Sequence, residues 1–244
     1  MTSQEKDQLR SRLYAAYATT HAGRSDTAAS VHVFRKDLLP RLPQERDVAV
    51  VDIGCGQGDL VAWLLAEGYH RAGGIDVSPE QVAIAHERGR DTVRLGDFRE
   101  VLEPASLDVV VATDFLEHFD KFEVLQILDH CRETLRPDGR VVFRVPNAVS
   151  PFGGNYRHGD ATHECSFTAR SLRQLLAAAG FDEVEVHPCE PAVHGATSAA
   201  RWVIWKVAAG LMKLVLAAET GVPRGHLVTQ NVVVTARAGG DAPR

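Results

Sequence analysis

From residue 48 onward the chain repeats one unit: a short apolar run, a turn bearing glycine or an acid, then a stretch with helical spacing. Residues 48–53, 72–77, 92–95, 107–112 and 140–145 read as strands. Residues 60–67, 79–88 and 121–135 read as helices, the second capped by Ser78. The run at 107–112 is almost wholly apolar, as befits a strand covered on both faces. This alternation predicts an α/β fold with a doubly wound, mostly parallel sheet and helices on both faces. After the fifth strand the period is lost: residues 146–167 form a long loop of the kind that usually carries function. A helix at 168–179, a strand at 184–186, a long apolar helix at 198–218 and a last strand at 227–236 follow. Upstream, Leu9, Leu13, Tyr14 and Tyr17, then Val31, Phe34, Leu38 and Leu39, mark two amphipathic helices that Pro40 and Pro43 end. The expected division is an N-terminal helical cap (1–45), one domain (46–237) and a frayed tail (238–244).

Composition narrows the class. With 244 residues, 45% hydrophobic and 24% charged, the chain suits one large α/β domain and excludes collagen-like or disordered proteins. A net charge of −5 offers no general attraction to nucleic acid. Cys55, Cys131, Cys165 and Cys189 show no paired spacing, so neither a zinc site nor a disulfide framework is expected. Scattered thiols and a polar start, MTSQEKDQLR, imply a cytoplasmic location.

The strongest chemical signal is VVDIGCGQGDL, residues 50–60. Gly54, Gly56 and Gly58 allow positive φ and close approach of a ligand, and the helix beyond offers unpaired N–H groups. The glycines alternate as G-x-G-x-G, and Asp59 stands where a dinucleotide fingerprint has a small residue. Asp52 and Asp59 add negative charge with no basic residue beside them in sequence. Such a turn disfavours a pyrophosphate and suits a cationic ligand; the sulfonium and α-amino group of S-adenosylmethionine fit. Asp76 ends the second strand, where an acid accepts bonds from ribose hydroxyls. Asp97 and Phe98 follow the third strand, placed to meet an adenine.

The set D-I-G-C-G-Q-G (52–58), G-I-D (74–76), G-D-F (96–98) and L-R-P-D-G-R (135–140) resembles the class I S-adenosylmethionine-dependent methyltransferases over roughly residues 46–190. The resemblance implies a seven-stranded Rossmann-like sheet whose last strand is antiparallel. It also implies that Asp52, Gly54, Cys55, Gly56 and Gly58 surround the methionine part, Asp76 and Val77 the ribose, and Asp97 and Phe98 the adenine, with Asp114 at the cofactor's edge.

Methyl transfer from a sulfonium requires alignment, and an alcohol acceptor requires a base as well. Asp114, Glu117 and His118 follow the fourth strand; His163 lies in the long loop. Ubiquinone-pathway and small-RNA methyltransferases carry a similar acid-x-x-Glu-His segment plus a later histidine around a divalent metal. By that resemblance Asp114, Glu117, His118 and His163 are a low-ranked metal site. The preferred reading needs no metal and makes His163, with His118 and Glu117, catalytic. Tyr14, Tyr17, Asn147, Tyr156, Arg157, His158 and Asp160 are the candidate substrate contacts. The stretch 146–190 and WVIWK (202–206) resemble bacterial glycan and natural-product O-methyltransferases.

The expectation is therefore an O-methyltransferase for a hydroxyl of a small molecule or glycan, as monomer or homodimer, without nucleic acid. Its rivals are a small-molecule N-methyltransferase and a non-catalytic cofactor-binding module. Lys206 and Lys213 share one side of the 198–218 helix, which makes a membrane span unfavourable. That helix is expected to pack on the sheet or a second subunit, with peripheral membrane contact as a lower-ranked reading.

Overall fold

A computed structural model describes Arg12 and residues 27–239; Tyr14, Tyr17 and the first amphipathic helix lie outside them. The elements are α1 (Thr27–Asp37), a 3-10 turn (Leu39–Arg41), β1 (Ala49–Ile53), α2 (Asp59–Ala66), β2 (Arg71–Asp76), α3 (Pro79–Glu87), β3 (Val93–Leu95) and α4 (Phe98–Val101). Then come β4 (Leu107–Thr113), a 3-10 turn (Leu116–His118), α5 (Lys121–Thr134), β5 (Leu135–Pro146), α6 (Gly153–Gly159), α7 (Ala169–Ala178), β6 (Phe181–Pro188), α8 (Ala196–Thr220) and β7 (Asn231–Ala238). The seven strands form one sheet in the order β3-β2-β1-β4-β5-β7-β6. β1 through β5 pair in parallel, and β7 runs antiparallel to both β5 and β6. The architecture is the doubly wound sheet expected from the strand–helix alternation, with the seven strands and the antiparallel last strand that the family resemblance implies.

The period of two in β4 builds both core layers at once. Val110 and Ala112 face a layer with Ile127 and Leu128 of α5, Phe143 of β5 and Leu172 and Leu176 of α7. Val109 and Val111 face the opposite layer, with Leu38, Leu60, Trp63, Leu64 and Tyr69. Strand order reverses between β1 and β4, so the crevice beyond their carboxyl ends is the natural ligand position.

Several boundaries differ from expectation, β5 for one starting at Leu135 and not at 140. The 146–167 loop contains α6, which buries none of its residues and so leaves no periodic signature. β6 extends from Phe181 to Pro188 because its acids, Asp182, Glu183 and Glu185, project to solvent from a sheet edge and hide the strand pattern. β7 starts at Asn231, not 227, because the carbonyls just before it are committed elsewhere. Asn147 Nδ2 donates to Leu227 O (2.7 Å) and Thr229 O (2.8 Å), and Asn147 N donates to Gln230 O (2.9 Å). Ala238, expected in the tail, pairs with Phe181. No helix among the described residues is long and apolar enough to cross a membrane.

α5 carries the turn before it into position through a capping box. Asp120 Oδ1 accepts from Phe122 N (2.9 Å) and Glu123 N (3.0 Å), and Glu123 Oε2 accepts from Asp120 N (2.8 Å). Asp120→Ala removes that reciprocal pair. Urea unfolding is expected to show a loss of about 1 kcal/mol with unchanged slope.

Candidate active site

β1 delivers the chain into three left-handed glycines, Gly54 (φ 68°), Gly56 (φ 53°) and Gly58 (φ 75°), and α2 starts directly after them. The turn is packed as well as bent: a Cβ on Gly54 would lie 2.2 Å from the Phe115 ring. Gly74 of β2 plays a matching part from the other side, since a Cβ there would come within 2.6 Å of Cys55 Sγ. Sequence reasoning placed Gly74 in the G-I-D motif but gave it no role; the doubled glycine in GGID was the signal of one.

Asp76 closes this arrangement. Its Oδ2 accepts from Gly56 N (2.8 Å) and its Oδ1 from Ser78 N (2.8 Å), so one carboxylate ties the glycine turn to the end of β2. Each oxygen retains acceptor capacity for a ligand hydroxyl. Burial raises the Asp76 carboxyl pKa, and the two backbone bonds oppose that. Asp52 is buried, and burial followed by the Asp76 charge pushes its pKa well above the usual range. Among the described residues its Oδ1 has no hydrogen-bond partner. A bound ammonium would relieve both conditions, and a sulfonium the raised pKa through its charge alone. Burial also drives the Cys55 thiol pKa sharply upward, which makes it a filler of the turn and not a nucleophile.

The other two acids are already paired, which corrects the charge argument drawn from sequence. Arg90 reaches back from beyond α3 to Asp59 (2.6 Å) and also donates to Gln57 O. Asp97 is gripped by the Arg99 guanidinium, which holds its pKa below the ordinary value. The acids of the site without a cationic partner among the described residues are therefore Asp52 and Asp76. Phe98 is also corrected: its ring is buried against Phe115 (5.9 Å) and His130 (5.7 Å), a core position that gives an adenine no stacking face. Val77 is exposed beside Asp76.

Beyond β4 the chain turns sharply at Asp114 (φ 52°), whose carboxylate meets Arg144 of β5 at 2.5 Å. Burial disfavours the Arg144 charge, but Asp114, together with Cys189, Asp37 and Glu117, more than restores it. Glu117 is fully buried, with both oxygens lacking a hydrogen-bond partner among the described residues. Burial, then Asp114, lifts its pKa well above the carboxylate range. The Glu117 carbonyl accepts from Glu164 N (2.8 Å) and Cys165 N (3.1 Å), which pins the long loop onto this turn.

That pin brings the predicted loop residues to the crevice. His163 stacks edge-on against His118 at 4.9 Å. His163 Nδ1 lies 2.7 Å from the Tyr156 carbonyl, so Nδ1 carries the proton and Nε2 of the neutral ring is the acceptor. Thr162, which sequence reasoning missed, donates its hydroxyl to Asp160 Oδ1 (2.6 Å) and faces His118 Nδ1 at 2.9 Å. With its one proton given to Asp160, the Thr162 oxygen accepts from His118 Nδ1–H. Burial works against the Asp160 charge, yet the Thr162 bonds and both histidines bring its pKa down to about 2. Burial, then His163, lowers the His118 pKa to about 4. Arg157 and His158 are exposed on α6. Asn147 is not a substrate contact: it is 1% exposed, and its side chain is consumed by Leu227, Thr229 and Val149 N. Among the described residues no three His, Cys, Asp or Glu are disposed to hold a metal ion. Asp114 is committed to Arg144, and His118 Nδ1 to Thr162.

A family profile described as a methyltransferase domain matches residues 27–186. The chain belongs to the class I S-adenosylmethionine-dependent methyltransferases. A ubiquinone biosynthesis O-methyltransferase of Xylella fastidiosa (strain 9a5c) is 32% identical over 120 residues, 46% of this chain and 48% of that protein. A trans-aconitate 2-methyltransferase of Mycobacterium tuberculosis (strain ATCC 25177 / H37Ra) is 35% identical over 116 residues, 45% of this chain and 41% of that protein. The chain thus spans about half the length, or less, of these curated relatives. A structure titled as a SAM-dependent methyltransferase from Archaeoglobus fulgidus shares the fold, with TM-score 0.66, 20% identity and coverage of 91% of this chain and 98% of that one. S-adenosylmethionine is the cofactor of this methyltransferase class, and the left-handed turn, the orphaned Asp52 oxygen and the spare acceptor capacity of Asp76 fit it.

Two measurements probe this geometry. Gly54→Ala drives a methyl into Phe115 at a left-handed position, so calorimetry is expected to show S-adenosylmethionine affinity reduced at least tenfold. His118 binds its proton far less readily folded than unfolded, where its pKa is near 6.5. Stability is therefore expected to fall as pH drops from about 6.5 to 4, by about 3 kcal/mol from this group. His118→Asn should flatten that part of the urea-unfolding profile.

Proposed function

We propose that the chain is an O-methyltransferase that methylates a hydroxyl of a sugar, glycan or specialised metabolite, with His163 as the base. The carrying observation is the His163 Nδ1–Tyr156 carbonyl bond, which leaves Nε2 as the proton acceptor. S-adenosylmethionine supplies an activated methyl group, so the protein's tasks are alignment, exclusion of water and removal of one proton. The glycine turn and Asp52 would hold the methionine part, Asp76 the ribose and Asp97 the adenine edge. Phe98 would contribute its backbone, its ring being spent on the core. The 146–167 loop, with Tyr156, Arg157, His158 and Asp160, would close over the acceptor. The O-methyltransferase names among the relatives support the oxygen assignment, and the long loop supports a small acceptor.

Labelled methyl transfer to a panel of sugars, glycans and phenolic or polyol metabolites tests this. Transfer to a hydroxyl is expected, with His163→Ala lowering kcat about 100-fold while cofactor affinity stays within twofold. Transfer to amines only, at a rate indifferent to His163→Ala, would defeat the proposal.

A further inference from the structure

α8 has two apolar sides. One is spent on the body of the protein: Ser198 and Ala209 are buried, with Trp202, Trp205, Met212 and Leu216 half-buried in the same row. Trp202 Nε1 and Lys206 Nζ both donate to Glu190, at 3.4 and 2.7 Å, which fixes this side inward. The other side faces out. Val203, Ile204, Val207, Leu211, Leu214 and Val215 are 54, 69, 63, 61, 67 and 64% exposed. So much aliphatic surface on one helix face marks an interaction site.

The spacing identifies the occupant. Ala200, Ile204, Val207, Leu211, Leu214 and Ala218 follow one another by alternate steps of four and three, the seam of a helix that packs along another helix. The row is self-complementary on reversal. Antiparallel alignment sets Ala200 against Ala218, Ile204 against Leu214 and Val207 against Leu211 of the partner subunit. The flanking charges agree. Arg201 and Glu219 lie about five helical turns apart and so on one line down the same flank. A two-fold axis at the middle of the helix brings the same flank of the two copies together in opposite directions, so that Arg201 of one copy lies near Glu219 of the partner subunit. The tryptophans point inward, so the outward face lacks the aromatic anchors of a helix that lies in a lipid interface.

We propose that this face of α8 is the interface of a homodimer, built by antiparallel packing of two α8 helices about a two-fold axis and registered by the Arg201–Glu219 pairs. A closed isologous contact of this kind buries both seams at once.

Sedimentation velocity over a concentration series is the test. The wild-type chain is expected to associate to a dimer, and Leu211→Glu to remain monomeric with an unchanged circular dichroism spectrum. Arg201→Glu is expected to weaken dimerisation about tenfold by facing two glutamates, and Arg201→Glu/Glu219→Arg to restore it. A monomer at every concentration, or a charge-reversed double variant no better than the single one, overturns the proposal. So does a Leu211→Glu variant that keeps the wild-type association state while losing binding to phosphatidylglycerol vesicles, because the face would then serve lipid.

Discussion

The Asp76 carboxylate is placed where two strands end and two turns begin, and both its oxygens are committed to backbone N–H groups. Through Gly56 it holds the left-handed turn after β1, and through Ser78 it holds the start of α3. The bend of the turn depends on glycine at three positions and its depth on the absence of a Cβ at Gly54 and Gly74. Its position relative to β2 depends on Asp76. The same burial that raises the carboxyl's pKa makes its interactions strong, because neighbouring charges act through a low local dielectric. Asp52, deeper still, has one oxygen without a hydrogen-bond partner among the described residues. The structure thus leaves these two carboxyls without a cationic partner among the described residues and neutralises Asp59 and Asp97 with guanidinium groups.

A second constraint aligns the acceptor side with this cofactor side. The 3-10 turn after β4 is held from beneath by Leu116 and the buried Glu117, and its carbonyl receives two N–H groups from the long loop. One backbone oxygen therefore sets the distance between the strand ends and His163. From that loop a carboxylate and a hydroxyl, Asp160 and Thr162, lead in order to the His118 imidazole of the turn, which orients His118 by hydrogen bonds and not by packing alone.

The sheet, its strand–helix order and the cofactor turn were legible because each leaves a local mark: apolar runs, alternating glycines, acids at strand ends. What stayed hidden depends on contacts between distant segments. Arg90 lies 31 residues from Asp59 and changes the charge of the turn without altering its motif. Arg144 lies 30 residues from Asp114 and takes the carboxylate expected at the cofactor's edge, the same one that the low-ranked metal reading would have used. Asn147 has the composition of a loop contact but reaches across to the carbonyls before β7, and only the antiparallel return of that strand makes this visible. Phe98 fails for a related reason: its neighbours Phe115 and His130 come from other elements, and together they place its ring inside the core. β6 was shortened in the reading because an edge strand with exposed acids lacks the apolar alternation of its interior neighbours.

The central claim is that Asp76 both shapes the glycine turn and meets the cofactor. Isothermal titration of S-adenosylmethionine into Asp76→Ala, against the wild-type chain, measures it most directly. Loss of a buried carboxylate with two acceptor oxygens is expected to weaken binding about 100-fold, with the folded state retained by circular dichroism. Affinity equal to that of the wild type in a folded variant would contradict the account.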